Sequence, residues 1–393
     1  MLFLWGDMMK VKLGDVCEIV SGTTPKSNCP EYWNGELNWI TPAELNDDIV
    51  VVNESQRKIT TKAVIDSNLR SFPAGTVLLS SRAPIGKVAI AGKEMYCNQG
   101  FKNLICSDFV YNKYLFYFLK SKVTYLNSLG RGATFKEISK TIVENIQINL
   151  PKKEEQYKIV HILDKINEII FLRQQQLKKL NELVKSRFIE MFGSLGSDKF
   201  GWGLMKLGNC CEINPSKIND NRLKENLYVS FIPMSCVTDD GKITEMETKT
   251  YDEVKSGFTY FKEGDVLFAK ITPCMENGKG AIAIGLYNKV GFGSTEFHVL
   301  RPIKEKCNSY WLYMVTMFSE FRLIAESNMT GSAGQKRVPV SFLENFKISV
   351  PPIELQNEFA DFFKQTDKSK LEIQKSLDKL EILKKSLMQQ YFG

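Results

Sequence analysis

Two kinds of apolar pattern alternate along the chain. Over residues 153 to 192, apolar side chains recur at spacings of four and three: Ile159, Leu163, Ile166 and Ile170, then Leu177, Leu180 and Val184. That period belongs to an amphipathic helix with a coiled-coil seam. A second run carries Phe359, Phe363, Ile373, Leu377, Leu380 and Leu387, with Thr366, Lys370 and Lys384 interrupting its seam. At 1.5 Å per residue each helix would be about 60 Å long, too long to bury its stripe alone, so the pattern predicts an antiparallel pair. Pro151, Pro351 and Pro352 mark the starts, and Gly193 and Gly393 the ends.

Elsewhere the apolar residues come in short β-branched and aromatic runs separated by Gly, Pro and Asn, such as Leu37 to Ile40, Val77 to Ser80, Val88 to Ile90 and Ile146 to Leu150. These read as strands, and residues 113–127 and 309–326 as helices packed on them. The expected fold is α+β: two similar globular domains of twisted sheet plus helices, residues 1–151 and 194–351. Two long helices, 152–193 and 352–393, form an antiparallel coiled coil with internal pseudo-two-fold symmetry.

The two halves are one unit written twice. Shifting the chain by 200 residues lays Pro151 on Pro351, Glu154 on Glu354, Gln156 on Gln356, Leu177 on Leu377, Leu180 on Leu380 and Phe192 on Phe392. Upstream the offset drifts: Lys12-Leu13-Gly14 answers Lys206-Leu207-Gly208, and Ala74-Gly75-Thr76-Val77-Leu78 answers Glu263-Gly264-Asp265-Val266-Leu267. Loops therefore differ in length while the helices keep their register.

Composition narrows the function without naming it. Charged residues are 25% and hydrophobic residues 43%, an ordinary globular balance. The net charge is 52 − 45 = +7, of which the two helices hold +2, leaving +5 in the globular blocks, a mild excess that suits an anionic partner. Nine cysteines without CxxC spacing and only two histidines, His161 and His298, argue against a zinc site or a disulfide scaffold. The short apolar start is no signal-peptide core, and no apolar run approaches the 18 or so residues of a membrane span. A reducing cytoplasm is expected.

Three pairs of loops carry the candidate chemistry. Ser81 to Lys87 contains Arg82 and Lys87, and its counterpart contains Lys270 and Lys279. Neither is a Walker loop, because Val88 and Gly280 follow the lysines. A second pair is Asn98 to Phe101 and Ser294 to Phe297, and a third, 130–134 and 330–337, contributes Arg131, then Lys336 and Arg337, with Lys136 just beyond the first. These eight cations are the expected phosphate contacts. Asn98, Gln99 and Thr134 in the first block, and Thr295 and Gln335 in the second, are of the types that read base edges; Asn98, Gln99 and Thr295 equally suit the organisation of turns.

Enzymatic readings are weaker. Asp239 or Asp240 with Glu247-Thr248-Lys249 mimics a metal nuclease centre, but the first block has no equivalent. No methyltransferase signature or Ser-His-Asp arrangement is present. No catalytic, cofactor or metal residue is expected in this chain.

The layout resembles the specificity subunit of a type I DNA restriction-modification system. The resemblance rests on K-L-G-x-x-C-E-I at Lys12 to Ile19 and Lys206 to Ile213, on the G-[TD]-V-L turns, and on L-P-x-x-E-x-Q at Leu150 to Gln156, which reads Val-Pro-Pro in its second copy at Val350 to Gln356. It implies two target recognition domains, each reading half of a bipartite asymmetric site on double-stranded DNA, and spacer helices that fix the half-site distance and dock two methyltransferase subunits. It further implies that S-adenosylmethionine, ATP and Mg²⁺ belong to those subunits and to the restriction motor subunits. The readings left beside it are a module serving or fused to another methyltransferase or nuclease, and a scaffold that binds no DNA.

Overall fold

A two-stranded antiparallel ribbon opens and closes the globular part of each half. Met9–Lys12 pairs with Gln147–Leu150, and Leu204–Lys206 with Lys347–Ser349. The repeated Lys-Leu-Gly opening and the repeated segment before Pro151 or Pro351 are thereby neighbours, locked further by Leu13 N–H on the Ile146 carbonyl (2.9 Å) and Leu207 N–H on the Phe346 carbonyl (2.8 Å). The computed structural model describes residues 9–46, 49–82, 84–132, 136–218, 220–332 and 334–393. It divides into two units, residues 1–174 with 375–393, and residues 175–374. Each unit therefore holds one globular block and a half of each long helix.

In the first unit a five-stranded sheet runs in the order Cys17–Ser21, Lys102–Cys106, Val77–Leu79, Val88–Ala91, Val51–Val52. A three-stranded sheet runs Arg57–Ile59, Trp33–Ile40, Tyr96–Cys97. In the second unit the corresponding sheets are Cys211–Ile213, Phe297–Pro302, Val266–Ala269, Gly280–Ile282 and Glu247–Thr250, Tyr228–Ile232, Val290–Gly293, Thr259–Lys262. Val77–Leu79 and Val266–Ala269 are buried at every position, which explains their unbroken apolar runs: both faces of a central strand are covered. Gly75 and Gly264, each at φ +87°, make the turn into these strands, a left-handed conformation that favours glycine.

Helices Asn112–Ser121 and Ser309–Met317 pack on those central strands. The periodicity predicts one long helix in each place, but the chain breaks and restarts as Val123–Leu129 and Ser319–Ser327. In the second unit the break is an extended Phe318 whose ring packs 4.9 Å from that of Phe188, so core packing overrides helix continuation.

The long helices are Lys153–Phe192 and Ile353–Phe392. Gly193 stops the first at φ +77°. In the first unit Ile159 and Leu163 are buried with Phe392, and Leu387 packs beside them; in the second, Val184 and Phe188 are buried with Phe359, and Phe363 packs beside them. The start of each helix thus lies against the end of the other, the antiparallel sense expected. Burial along the seam is uneven. Ile166 and Leu377 are buried, whereas Ile170, Leu177, Leu180, Ile373 and Leu380 are half-buried. Thr366, expected to interrupt the seam, is buried within it, its hydroxyl donated to the Phe362 carbonyl at 2.9 Å. That local bond satisfies the polar group.

The helix starts explain the repeated glutamine. Gln156 and Gln356 are fully buried. Gln156 accepts the Tyr111 N–H (2.8 Å) and donates to the Phe109 and Pro151 carbonyls (2.9 Å each). Gln356 accepts the Asn308 N–H (2.8 Å) and donates to the carbonyls of Lys306 (3.0 Å) and Pro351 (2.8 Å). One side chain ties three backbone groups, fixing where each helix leaves its sheet.

Candidate nucleic-acid interface

Both units build the same rim from two loops and a hairpin. In the first, Ser81 N–H donates to the Gly100 carbonyl (2.7 Å), Ile138 N–H to the Ser81 carbonyl (2.9 Å), and Arg131 and Glu137 exchange backbone bonds at 3.0 and 2.9 Å. In the second, Lys270 N–H donates to the Glu296 carbonyl (2.9 Å), Val338 N–H to the Lys270 carbonyl (2.9 Å), and Thr330 and Arg337 exchange bonds at 2.9 and 2.8 Å. Because these bonds are all backbone, the side chains they carry are free to differ.

And they do differ. In the first unit the Glu137 carboxylate sits between Arg82 Nε (2.9 Å) and Lys102 Nζ (3.2 Å). Burial works to raise its pKa, but the two cations outweigh it and hold it below the ordinary carboxylate value. In the second unit the hairpin position carries Arg337, whose Nε and Nη2 clasp Glu296 at 2.9 and 2.8 Å. Arg337 holds Glu296 low, and Glu296 raises Arg337 in return. Burial lowers the neighbouring Lys270 ammonium, against the pull of Glu296.

The expected phosphate contacts fall into two groups. Arg131, Lys136 and Lys336 are exposed, and Arg82, Lys270 and Arg337 are half-buried on the rim. Lys87 and Lys279 are instead engaged within the fold. Lys87 Nζ donates to the carbonyls of Pro42 (3.1 Å) and Leu45 (2.6 Å), and Lys279 Nζ to that of Met234 (3.2 Å). In both units this lysine bridges the basic loop to the short 3-10 turn after a strand.

Among the expected base readers, Asn98 closes a turn by accepting the Gly100 N–H at 2.9 Å. Gln99 is exposed and accepts the Thr24 hydroxyl. Thr295 and Gln335 are exposed, and Thr134 lies outside the described residues. Sequence reasoning missed Lys102, Glu137 and Glu296. A signal was present, since Lys136-Glu137 and Lys336-Arg337 stand at the same offset of 200 as the helices. It also missed two supports behind the basic loops: Asn127 donates to the Ile85 carbonyl at 3.1 Å, and buried Arg322 donates to the carbonyls of Met275 and of Gly278 (3.1 Å for the latter).

His298 is buried, with one ring nitrogen on the Val338 carbonyl at 2.7 Å and the other on Asn214. Glu247 and Lys249 pair with each other at 3.2 Å. Among the described residues no cluster of metal-ligating side chains occurs, and no helix is long and apolar enough to cross a membrane.

A family model for the type I restriction modification DNA specificity domain matches twice, over residues 6–182 and 200–383. The chain belongs to the type I restriction-modification DNA specificity family. The MjaIX specificity subunit of Methanocaldococcus jannaschii is 30% identical over 383 residues, 90% of this chain and 84% of that protein. The EcoAI specificity subunit of Escherichia coli is 43% identical over 168 residues, 42% of this chain and 28% of that protein. Among solved structures, the type I system S subunit from M. genitalium has a TM-score of 0.58 at 14% identity, covering 98% of this chain and 96% of that one. A chain from a structure of type I system complex assembly scores 0.62 at 19%, covering 100% and 99%. At those identities the likeness shows the specificity-subunit fold.

Proposed function

We propose that each globular block reads one half of a bipartite, asymmetric sequence on double-stranded DNA. The long helices set the half-site spacing and dock two methylating subunits. The observation that carries this reading is the rim built twice from the same backbone bonds with different side chains on it: one docking geometry with two chemistries. Readers with a common frame approach DNA alike, and unlike side chains select unlike bases. Both helices run continuously from one unit's residues into the other's, as a spacing element requires.

In this reading the chain is non-catalytic and works in the cytoplasm. S-adenosylmethionine, ATP and Mg²⁺ enter with the methyltransferase and motor subunits. Phosphate contact falls to Arg131, Lys136 and Lys336, with Lys87 and Lys279 holding loops from behind. Exchanging residues 194–350 for the corresponding block of another specificity subunit, followed by mapping of genomic methylation, tests the reading. One half of the methylated sequence should change and the other should stay; change in both halves, or loss of any sequence preference in the parent, would overturn it.

A further inference from the structure

The hairpin position of the rim carries opposite charge in the two units. Glu137 and Arg337 occupy it in turn, each joined through the same backbone exchange to Arg131 or Thr330. Their counter-charges come from different strands and loops: Arg82 and Lys102 in the first unit, Glu296 in the second. Neither hairpin side chain is spent by its partner. The Glu137 side chain is 34% exposed and that of Arg337 42%.

The remaining valences are specific. Glu137 gives one oxygen to Arg82 and the other to Lys102, and a carboxylate offers about four acceptor sites, so each oxygen keeps a free lone pair. Arg337 uses Nε and one N–H of Nη2 on Glu296, and one N–H of Nη1 on the Gln335 carbonyl (3.1 Å). Of five donors, one remains on each terminal nitrogen. The first arrangement accepts from an amino group; the second donates to a pair of acceptors. In the major groove these are complementary to an exocyclic amine of cytosine or adenine, and to N7 and O6 of guanine. The counter-charges hold both side chains in place before DNA arrives, which reduces the ordering cost of binding.

Resting on the DNA-reading function above, we propose that the hairpin position is a specificity determinant in each unit: Glu137 selects a base pair that presents its exocyclic amine on the strand it faces in one half-site, and Arg337 selects guanine in the other. A phosphate contact would be indifferent to sequence, and an acidic Glu137 would be repelled by phosphate.

The test uses the full-length subunit assembled with its methylating subunits, selected on a library of randomised duplexes, comparing the parent with Glu137→Gln and Arg337→Lys. A parent that enriches no bipartite sequence refutes the DNA-reading function itself. With a parent sequence in hand, Glu137→Gln, which replaces one acceptor oxygen by a donor, should change preference about tenfold or more at one base pair of one half-site. Arg337→Lys, which keeps the charge but loses the planar fork, should lower preference by as much at one guanine of the other. Every base pair presents one major-groove amine, cytosine N4 or adenine N6, so Glu137 discriminates by the strand that carries it; equal enrichment in the parent of the affected pair and of the same pair with its two bases exchanged would overturn the Glu137 assignment. Unchanged preference at every position in both variants would overturn the proposal. Lys102→Met separates reading from loop support, because it removes a cation behind Glu137 and leaves the carboxylate. Retained preference supports the assignment, whereas loss of the same preference together with a lowered melting temperature assigns the effect to loop packing and overturns it.

Discussion

In the first unit the rim hairpin presents a carboxylate braced by two cations, and in the second it presents a guanidinium braced by one carboxylate. The backbone bonds beneath them match one for one. At the helix starts the opposite holds: Gln156 and Gln356 are the same residue making the same three bonds. Side chains that satisfy buried backbone groups are constrained, because every sequence presents those groups and leaving them unpaired is costly. Side chains that merely ride on a self-bonded backbone are free to change sign. A duplicated reader can therefore keep its frame and diversify its face.

The comparison can be broken first in the helix seam. Ile159 and Phe359 stand at equivalent positions, both buried to within 1% of full. Phe359→Ala should cost about 3 to 5 kcal/mol and Ile159→Ala about 2 to 5 kcal/mol, measured by denaturant unfolding, because Phe359 also packs edge-on against Phe188 at 5.4 Å. A smaller cost at Phe359 than at Ile159 would contradict the aromatic seam of the second unit.

Next in size is the glutamine pair. Gln156→Leu and Gln356→Leu should each cost about 2 to 4 kcal/mol by stranding an N–H and two carbonyls. Their costs should agree closely, and a clear inequality in calorimetric unfolding would show that the two tethers are not equivalent.

The lysines divide more finely. Lys87→Met should cost about 1 to 2 kcal/mol and Lys279→Met about 1 kcal/mol, in the order of the carbonyls each holds. Neither should alter the salt dependence of DNA binding. Lys136→Ala and Lys336→Ala should each lower the slope of log affinity against log salt by about 0.9, which titration at several salt concentrations reads directly.

The smallest expected difference is in pH. Burial, with Lys270 adding to it, lowers the His298 pKa below the ordinary 6.5 despite the Val338 and Glu296 contributions. Folding therefore favours the neutral ring. Stability from this site is complete above pH 6.5 and is lost as pH falls through the depressed folded pKa, since the unfolded chain then binds a proton that the native site resists. Lys102 stands at the matching place in the first unit. Urea midpoints compared between about pH 7.5 and about pH 5.5 should fall in the parent and fall less in His298→Gln.

The duplication, the two long helices and their antiparallel pairing were legible in the sequence, because a seam of period 3.5 and a register without gaps are properties of residue order alone. So were the central strands, whose burial on both faces requires unbroken apolar runs. The breaks near Lys122 and Phe318, the carbonyl contacts of Lys87 and Lys279, and the pairing of Glu137 with Lys102 and of Arg337 with Glu296 were decided only in three dimensions. Each depends on groups brought together from distant parts of the chain: 45 residues separate Lys87 from Pro42, and 41 separate Arg337 from Glu296. Local pattern records which face of an element is buried. Which charge meets which is set by the packing of loops, and loop packing leaves no period in the sequence.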